Sequence, residues 1–157
     1  MLDELQAHNM EKKYLAIVVG KITTQGTIQE SLLRLENPKK ESKVRVDPLG
    51  QKAITHYRSI GYSEAISLVE VILETGRMHQ IRVHMAHIKH PILGDLAYGN
   101  STVNREFQRK NEANRQMLHA HELTFTHPVT KKKVTITAPI PEDMTSLIQN
   151  YLPSTQK

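Results

Sequence analysis

The sequence predicts an α+β domain, a mostly antiparallel mixed sheet with flanking helices. Three observations predict it. Tyr14-Leu15-Ala16-Ile17-Val18-Val19 is a nearly continuous apolar run that ends at Gly20 and reads as a central strand. Two pairs of β-rich segments run into and out of turn residues, at Gly61-Tyr62-Ser63 and at His127-Pro128-Val129-Thr130. Two further stretches carry apolar residues at helical spacing.

The elements follow in order. Leu2 and Leu5 share a face of a short helical segment over residues 2–9. After the central strand, Thr27 to Leu35 is a second, more polar strand. Asn37-Pro38-Lys39-Lys40-Glu41-Ser42-Lys43 is a basic, turn-rich loop. Val44 and Val46 form a short strand before the turn chemistry of Asp47-Pro48-Leu49-Gly50. Lys52 to Ser59 and Ala65 to Leu73 make an antiparallel pair. Thr75-Gly76 ends the second of these, and a helix runs to about Ile88. Ile81, Met85 and Ile88 are its core stripe, with Arg82 well off it beside His79 and Ala86. Asn100 to Gln116 is polar and charged and reads as an irregular surface excursion. Leu118 to Phe125 and Lys133 to Ala138 form a hairpin. Pro139-Ile140-Pro141 breaks the chain, and Glu142 to Tyr151 is a helix with acidic residues in its first turn.

At 157 residues this is one domain, spanning 1–157, with room for a sizeable core. Lys and Arg number 21 against 16 Asp and Glu, so the net charge of +5 favours polyanionic partners. There is no cysteine, which excludes disulfides and thiolate metal sites. No apolar stretch is long enough to span a bilayer, and the acidic start lacks the basic region of a signal peptide, so the chain reads as cytoplasmic. With no Trp and two Phe, aromatic stacking platforms for RNA are not expected.

The most informative run is Glu74-Thr75-Gly76-Arg77-Met78-His79-Gln80-Ile81-Arg82-Val83-His84. Two arginines, two histidines and a glutamine crowd the start of a helix, where a cationic cluster suits a phosphate or a carboxylate. The run continues through His90-Pro91-Ile92-Leu93-Gly94-Asp95 and Tyr98-Gly99, and Leu118-His119-Ala120 follows later. Together these blocks resemble the signature of the RluA-type pseudouridine synthases, which isomerise uridine in RNA. The resemblance runs from Glu11 to Pro141.

That resemblance implies the pseudouridine synthase fold, no cofactor, no metal, and an RNA partner, ribosomal or transfer. It makes Arg82 and Tyr14 the catalytic candidates. In the family the second arginine of the motif pairs with the catalytic aspartate, and a tyrosine in the place of Tyr14 lies against the target base and is a candidate for moving the proton at C5. Arginine suits the first task through its permanent charge and planar fork. A phenol suits the second because its ring stacks and its hydroxyl handles a proton. Arg77, His79, Gln80 and Leu118 are the substrate-binding candidates. Gly94 and Gly99 supply turns that a β-carbon would obstruct.

His84, His87 and His90 recur at three-residue spacing, and two of them could chelate a metal. Histidines that hydrogen-bond locally are the stronger reading, and His119 and His121 read as structural. The lysine-rich loops at residues 39–45 and 131–133 are solvated surface that would add salt-sensitive phosphate contacts without sequence information.

The family's His-Arg-Leu-Asp motif, which carries the catalytic aspartate, does not occur in the sequence. Asp3, Asp47 and Asp95 lack its flanking residues. The expectation is therefore the C-terminal portion of a catalytic domain, N-terminally incomplete and inactive alone. On that expectation the sheet edges are apolar and uncovered, and Arg82 has no carboxylate partner in the chain. Monomer is the expectation for the complete enzyme, with oligomers open to the fragment. The alternative is a non-catalytic RNA-binding remnant.

Overall fold

A computed structural model describes residues 10–35 and 43–152. The helix expected over residues 2–9 and most of the basic loop at 37–43 lie outside the described residues. The elements are β1 (Met10–Val19), β2 (Gln25–Ile28), β3 (Leu32–Leu35), β4 (Lys43–Val46), β5 (Thr55–Tyr62) and β6 (Ile66–Leu73). After them come α1 (Gln80–His87), α2 (Ser101–Arg109), β7 (Leu118–Thr126), β8 (Lys133–Thr137) and α3 (Glu142–Tyr151).

Six strands form one sheet in the order β2-β5-β6-β1-β7-β8, and β3 and β4 make a separate hairpin. Every pairing between the described strands is antiparallel. β1 is central because both of its faces are apolar. Leu15 and Ile17 point to one side, where they join Ile66, Leu68, Phe107 of α2, and Met144 and Leu147 of α3. Ala16 and Val18 point to the other, where they join Val69, Val71, and Ile81 and Met85 of α1. Period-two alternation thus feeds two cores from one strand.

Some expected elements shift. The single strand expected over Thr27 to Leu35 is two, β2 and β3, which belong to different sheets. The segment at Asn100 to Gln116 is not irregular. Its first half is α2, capped by Asn100, whose side-chain oxygen accepts from the Val103 amide. Phe107 anchors that helix in the core. The sheet edges β2 and β8 are short and mostly polar, which blunts the exposed edges the sequence led one to expect. No described helix is long and apolar enough to cross a membrane.

Candidate active site

Helix α1 positions the site, and the turn before it is fixed by one buried side chain. Gln80 is 2% exposed. Its Oε1 accepts from the Thr75 hydroxyl at 2.8 Å and from the Arg77 amide at 3.0 Å. Its Nε2 donates to the Ile54 carbonyl at 3.0 Å and to Thr55 Oγ1 at 2.9 Å. Thr75 Oγ1 in turn accepts from the Ile54 amide. Gln80, a substrate-binding candidate in the sequence, therefore spends its amide on the chain itself and shapes the turn that carries Arg77 and His79.

The network continues to His84, which the sequence offered as a metal ligand. Thr55 Oγ1 lies 2.7 Å from His84 Nδ1, and His84 Nε2 lies 2.8 Å from the Glu30 carbonyl oxygen. A carbonyl can only accept, so Nε2 carries the proton and Nδ1 accepts from Thr55. Burial lowers the His84 pKa and outweighs the opposing pull of the Glu30 carbonyl, so the ring is neutral at neutral pH. Both nitrogens are engaged, and the described residues contain no group of side chains able to hold a metal ion.

His79 caps α1 in the left-handed region, at φ 57. A non-glycine residue holds that conformation only where its surroundings fix it. Here the Tyr98 hydroxyl lies 2.9 Å from His79 Nδ1 and also accepts from the Val44 amide.

Arg82 follows one position after Ile81 of the core stripe and leaves the core sideways. Its Nε donates to Asp95 Oδ2 at 2.8 Å and its Nη2 to Oδ1 at 2.9 Å, a bidentate pair. The Asp95 side chain is 0% exposed and that of Arg82 19%. The Tyr98 ring lies 5.0 Å from the guanidinium carbon. This overturns the expectation that Arg82 lacks a carboxylate within the chain. The reason is a chain reversal that turn chemistry alone does not reveal. Ile92 and Leu93 are buried beside β1, with the Leu93 amide donating to the Ile17 carbonyl. Gly94, at φ +85, then turns the chain back. A β-carbon there would strike the Arg115 carbonyl, and one at Gly99 would strike the Asp95 carbonyl, so both glycines are needed as expected.

Asp95 is held from several directions. Its Oδ1 also accepts from the Ala97 and Tyr98 amides. Its carbonyl accepts from Asn104 Nδ2, and Asn104 Oδ1 accepts from the Gly94 amide. Burial pushes the Asp95 pKa up, but the Arg82 guanidinium and the two backbone amides together hold it below its ordinary value. Asn104, buried on α2, is the residue the sequence reading missed. The signals were the Asn100 cap and the i, i+4 spacing of Val103 and Phe107.

Tyr14 and Leu118 meet on the α1 side of the sheet. Tyr14 pairs with Ala120 and Ala16 with Leu118, so Tyr14 and Leu118 are diagonal neighbours across β1 and β7. Both pack against the cluster that contains Ile81 and Met85. Burial raises the Tyr14 pKa, which keeps the phenol protonated at neutral pH. A register shift in β7 next to Tyr14 breaks the pairing there.

The two motif arginines face different spaces. Arg82 and Asp95 line a cleft of about 310 Å³ with Gln108, Arg115 and Gln116. Arg77, whose Nε donates to the Lys52 carbonyl at 2.9 Å, lines a larger one of about 760 Å³ with Lys52 and Lys133. Glu11 and Glu74 also line the larger cleft, and Arg82 and Arg115 of the smaller one are paired with Asp95 and Asp143, while Tyr14 and Leu118 flank the helix at the sheet.

The family model for RNA pseudouridylate synthase matches residues 1–87, more than half of the chain. The chain belongs to the RNA pseudouridylate synthase family. Its curated relatives include the ribosomal large subunit pseudouridine synthase D of Salmonella typhimurium, 39% identical over 154 residues. That match covers 94% of this chain and 47% of the relative. The enzyme of the same name from Escherichia coli K12 is 38% identical over 157 residues, covering 95% of this chain and 47% of the relative. The chain thus spans about half the length of these relatives. Among solved structures, human RNA Pseudouridylate Synthase Domain Containing 1 matches with a TM-score of 0.78 at 25% identity, over 99% of this chain and 64% of that one. Human RNA Pseudouridylate Synthase Domain Containing 4 shares the fold, with a TM-score of 0.72 at 22% identity over 94% and 64%.

Proposed function

We propose that this chain forms the RNA-engaging part of a cytoplasmic pseudouridine synthase that isomerises a uridine in ribosomal RNA. The observation that carries the proposal is the meeting of Tyr14 and Leu118 on the core that seats the Arg82 helix, in a chain with net charge +5. The uridine is flipped from its stack, because its C5 and glycosidic bond cannot be reached within a helix. Tyr14 faces the base. Tyr14 is the candidate for taking the proton from C5 once the base has turned and re-attached, its hydroxyl passing its own proton to water as it does so. Leu118 gives that base an apolar wall. Arg77 and His79 meet the anionic groups around it, and Arg82 is the arginine that the motif assigns to the catalytic carboxylate. No step calls for a metal or an organic cofactor.

The reaction also calls for a nucleophilic aspartate, and each described aspartate is engaged elsewhere. Asp47 accepts from the Leu49 amide and Arg45, Asp143 accepts from Arg115, and Asp95, whose side chain is 0% exposed, is enclosed by Arg82 and the Ala97 and Tyr98 amides. This supports the second reading, in which the chain by itself binds RNA without chemistry.

The experiment is an RNA-binding titration over a range of salt, using an unmodified transcript of large-subunit ribosomal RNA. Affinity that falls steeply as salt rises is expected, because counterion release dominates such binding. Salt-independent binding, or none at low salt, contradicts the proposal.

A further inference from the structure

We propose that Gly76 is the point of closest approach between this chain and the RNA backbone: its bare Cα and unpartnered amide let a phosphate reach the outer nitrogens of Arg77. The inference rests on the RNA reading above and adds where on the chain that phosphate sits.

Three features carry it. First, nothing inside the described chain asks for a glycine at this position. A β-carbon added at Gly20, Gly26, Gly50, Gly94 or Gly99 would meet another atom at 2.8 Å or less. One added at Gly76 would meet nothing within 4 Å, and Gly76 is not among the residues at positive φ. A glycine that neither backbone nor packing requires fits a place where a ligand comes close to the main chain. Second, donors gather there without acceptors. Among the described residues the Gly76 amide has no partner, and Arg77 spends only its backbone amide and its Nε, on Gln80 Oε1 and the Lys52 carbonyl. Nη1 and Nη2 remain, and a backbone amide beside an arginine fork is a set of donors that suits phosphate oxygens. Third, the position is held still. Gln80 Oε1 accepts from the Thr75 hydroxyl on one side of Gly76 and from the Arg77 amide on the other, so the bare Cα is a fixed floor and not a hinge. Thr75 and Arg77 both line the cleft of about 760 Å³, with Lys52 and Lys133 adding positive charge. Of its two acids, Glu74 is bonded to His56, which leaves Glu11.

A single methyl group separates this account from that of an ordinary loop glycine. Gly76→Ala changes no charge and meets no neighbour. For an ordinary loop glycine, the melt is level with wild type or higher, because alanine restricts the unfolded chain, and RNA affinity is unchanged. If a phosphate sits against the bare Cα, the melt is again level or higher, but affinity falls, by roughly tenfold for the loss of one charge-assisted contact. The slope of log affinity against log salt then drops by about one, although no charge has been removed from the protein. Gly76→Leu, which fills more of the space, loses at least as much.

A double-mutant cycle with Arg77 tests whether the phosphate is shared between the two residues. Wild type, Gly76→Ala, Gly76→Leu, Arg77→Met and Gly76→Ala combined with Arg77→Met are titrated with the unmodified large-subunit transcript, at a temperature where melts show each to be folded. The expected result is that Gly76→Ala weakens binding in the wild type and changes little once the Arg77 fork is gone. Level or tighter binding by Gly76→Ala and Gly76→Leu, or equal losses with and without Arg77, overturns the closest-approach role and leaves the RNA reading standing. A Gly76→Ala melt well below wild type does the same, because it places the need for a glycine inside the chain. A wild-type chain that binds no RNA at low salt overturns both.

Discussion

Replacing Arg82 with Met tests the buried pair directly. The change leaves Asp95, with a side chain 0% exposed, facing an apolar group in place of two charge-assisted hydrogen bonds. Removing one partner of a buried ion pair costs about 3–5 kcal/mol. Two backbone amides still hold the carboxylate, and Arg82 is partly exposed, so the lower end, about 3 kcal/mol, fits this site. For a chain of this length that is a fall in Tm of roughly 6–12 °C. The assay is urea and thermal unfolding of wild type and Arg82→Met from pH 7 to pH 3. The folded pKa of Asp95 lies below its ordinary value of 3.8, so the stability from the pair is present above that value. It is lost as pH falls through the folded value. The gap between wild type and variant should therefore be widest at neutral pH and close toward pH 3. An Arg82→Met protein as stable as wild type, or a gap that does not change with pH, would refute the reasoning.

Further outcomes follow from the same geometry. Gln80→Leu strands the proton of the Thr75 hydroxyl and the Arg77 amide, and should cost about 2–4 kcal/mol in urea unfolding. A loss below 1 kcal/mol, roughly that of a single hydrogen bond, would mean that the network rearranges around the leucine. The lowered pKa of His84 gives stability that is full above its ordinary value of 6.5 and lost as pH falls through the folded value. Urea midpoints should thus decline below that pH, less steeply in His84→Gln, which takes up no proton; parallel slopes would place the effect elsewhere. Incubated with unmodified ribosomal RNA, the chain alone should make no pseudouridine detectable when the RNA is digested to nucleosides and the two equal-mass isomers are separated by chromatography. Turnover would show that one of its aspartates acts as the nucleophile.

The parts of the fold legible in the sequence are those where one physical pattern dominates. β1 was readable because six apolar residues in a row fit a strand with a core on each side. α3 was readable from its acidic first turn and its apolar stripe. α2 was not, because only Val103 and Phe107 mark its inner face and its other buried contact is made by a polar residue, Asn104. The division of Thr27 to Leu35 between two sheets depends on long-range pairing, with β5 for one half and β4 for the other, which local alternation cannot report.

At the site, the motif pointed to Arg82 and Gln80 but not to what they touch. Gln80 reads as a ligand for substrate in sequence, and only its burial reveals that its four hydrogen bonds close on the chain. Asp95 reads as a turn residue and is one, since its Oδ1 accepts from the Ala97 and Tyr98 amides. Its second role depends on the reversal at Gly94, which brings a carboxylate thirteen positions away back to Arg82.

Hydrogen–deuterium exchange of the chain with and without the unmodified large-subunit transcript, at low salt, tests the central claim most directly. The claim is that RNA is engaged at the face built by α1, the Asp95 turn and the start of β7. The account predicts slowed exchange at residues 75–87, 94–99 and 118–120. Protection confined to α3 or to the β7–β8 turn, or no protection under conditions where the RNA is bound, would contradict it.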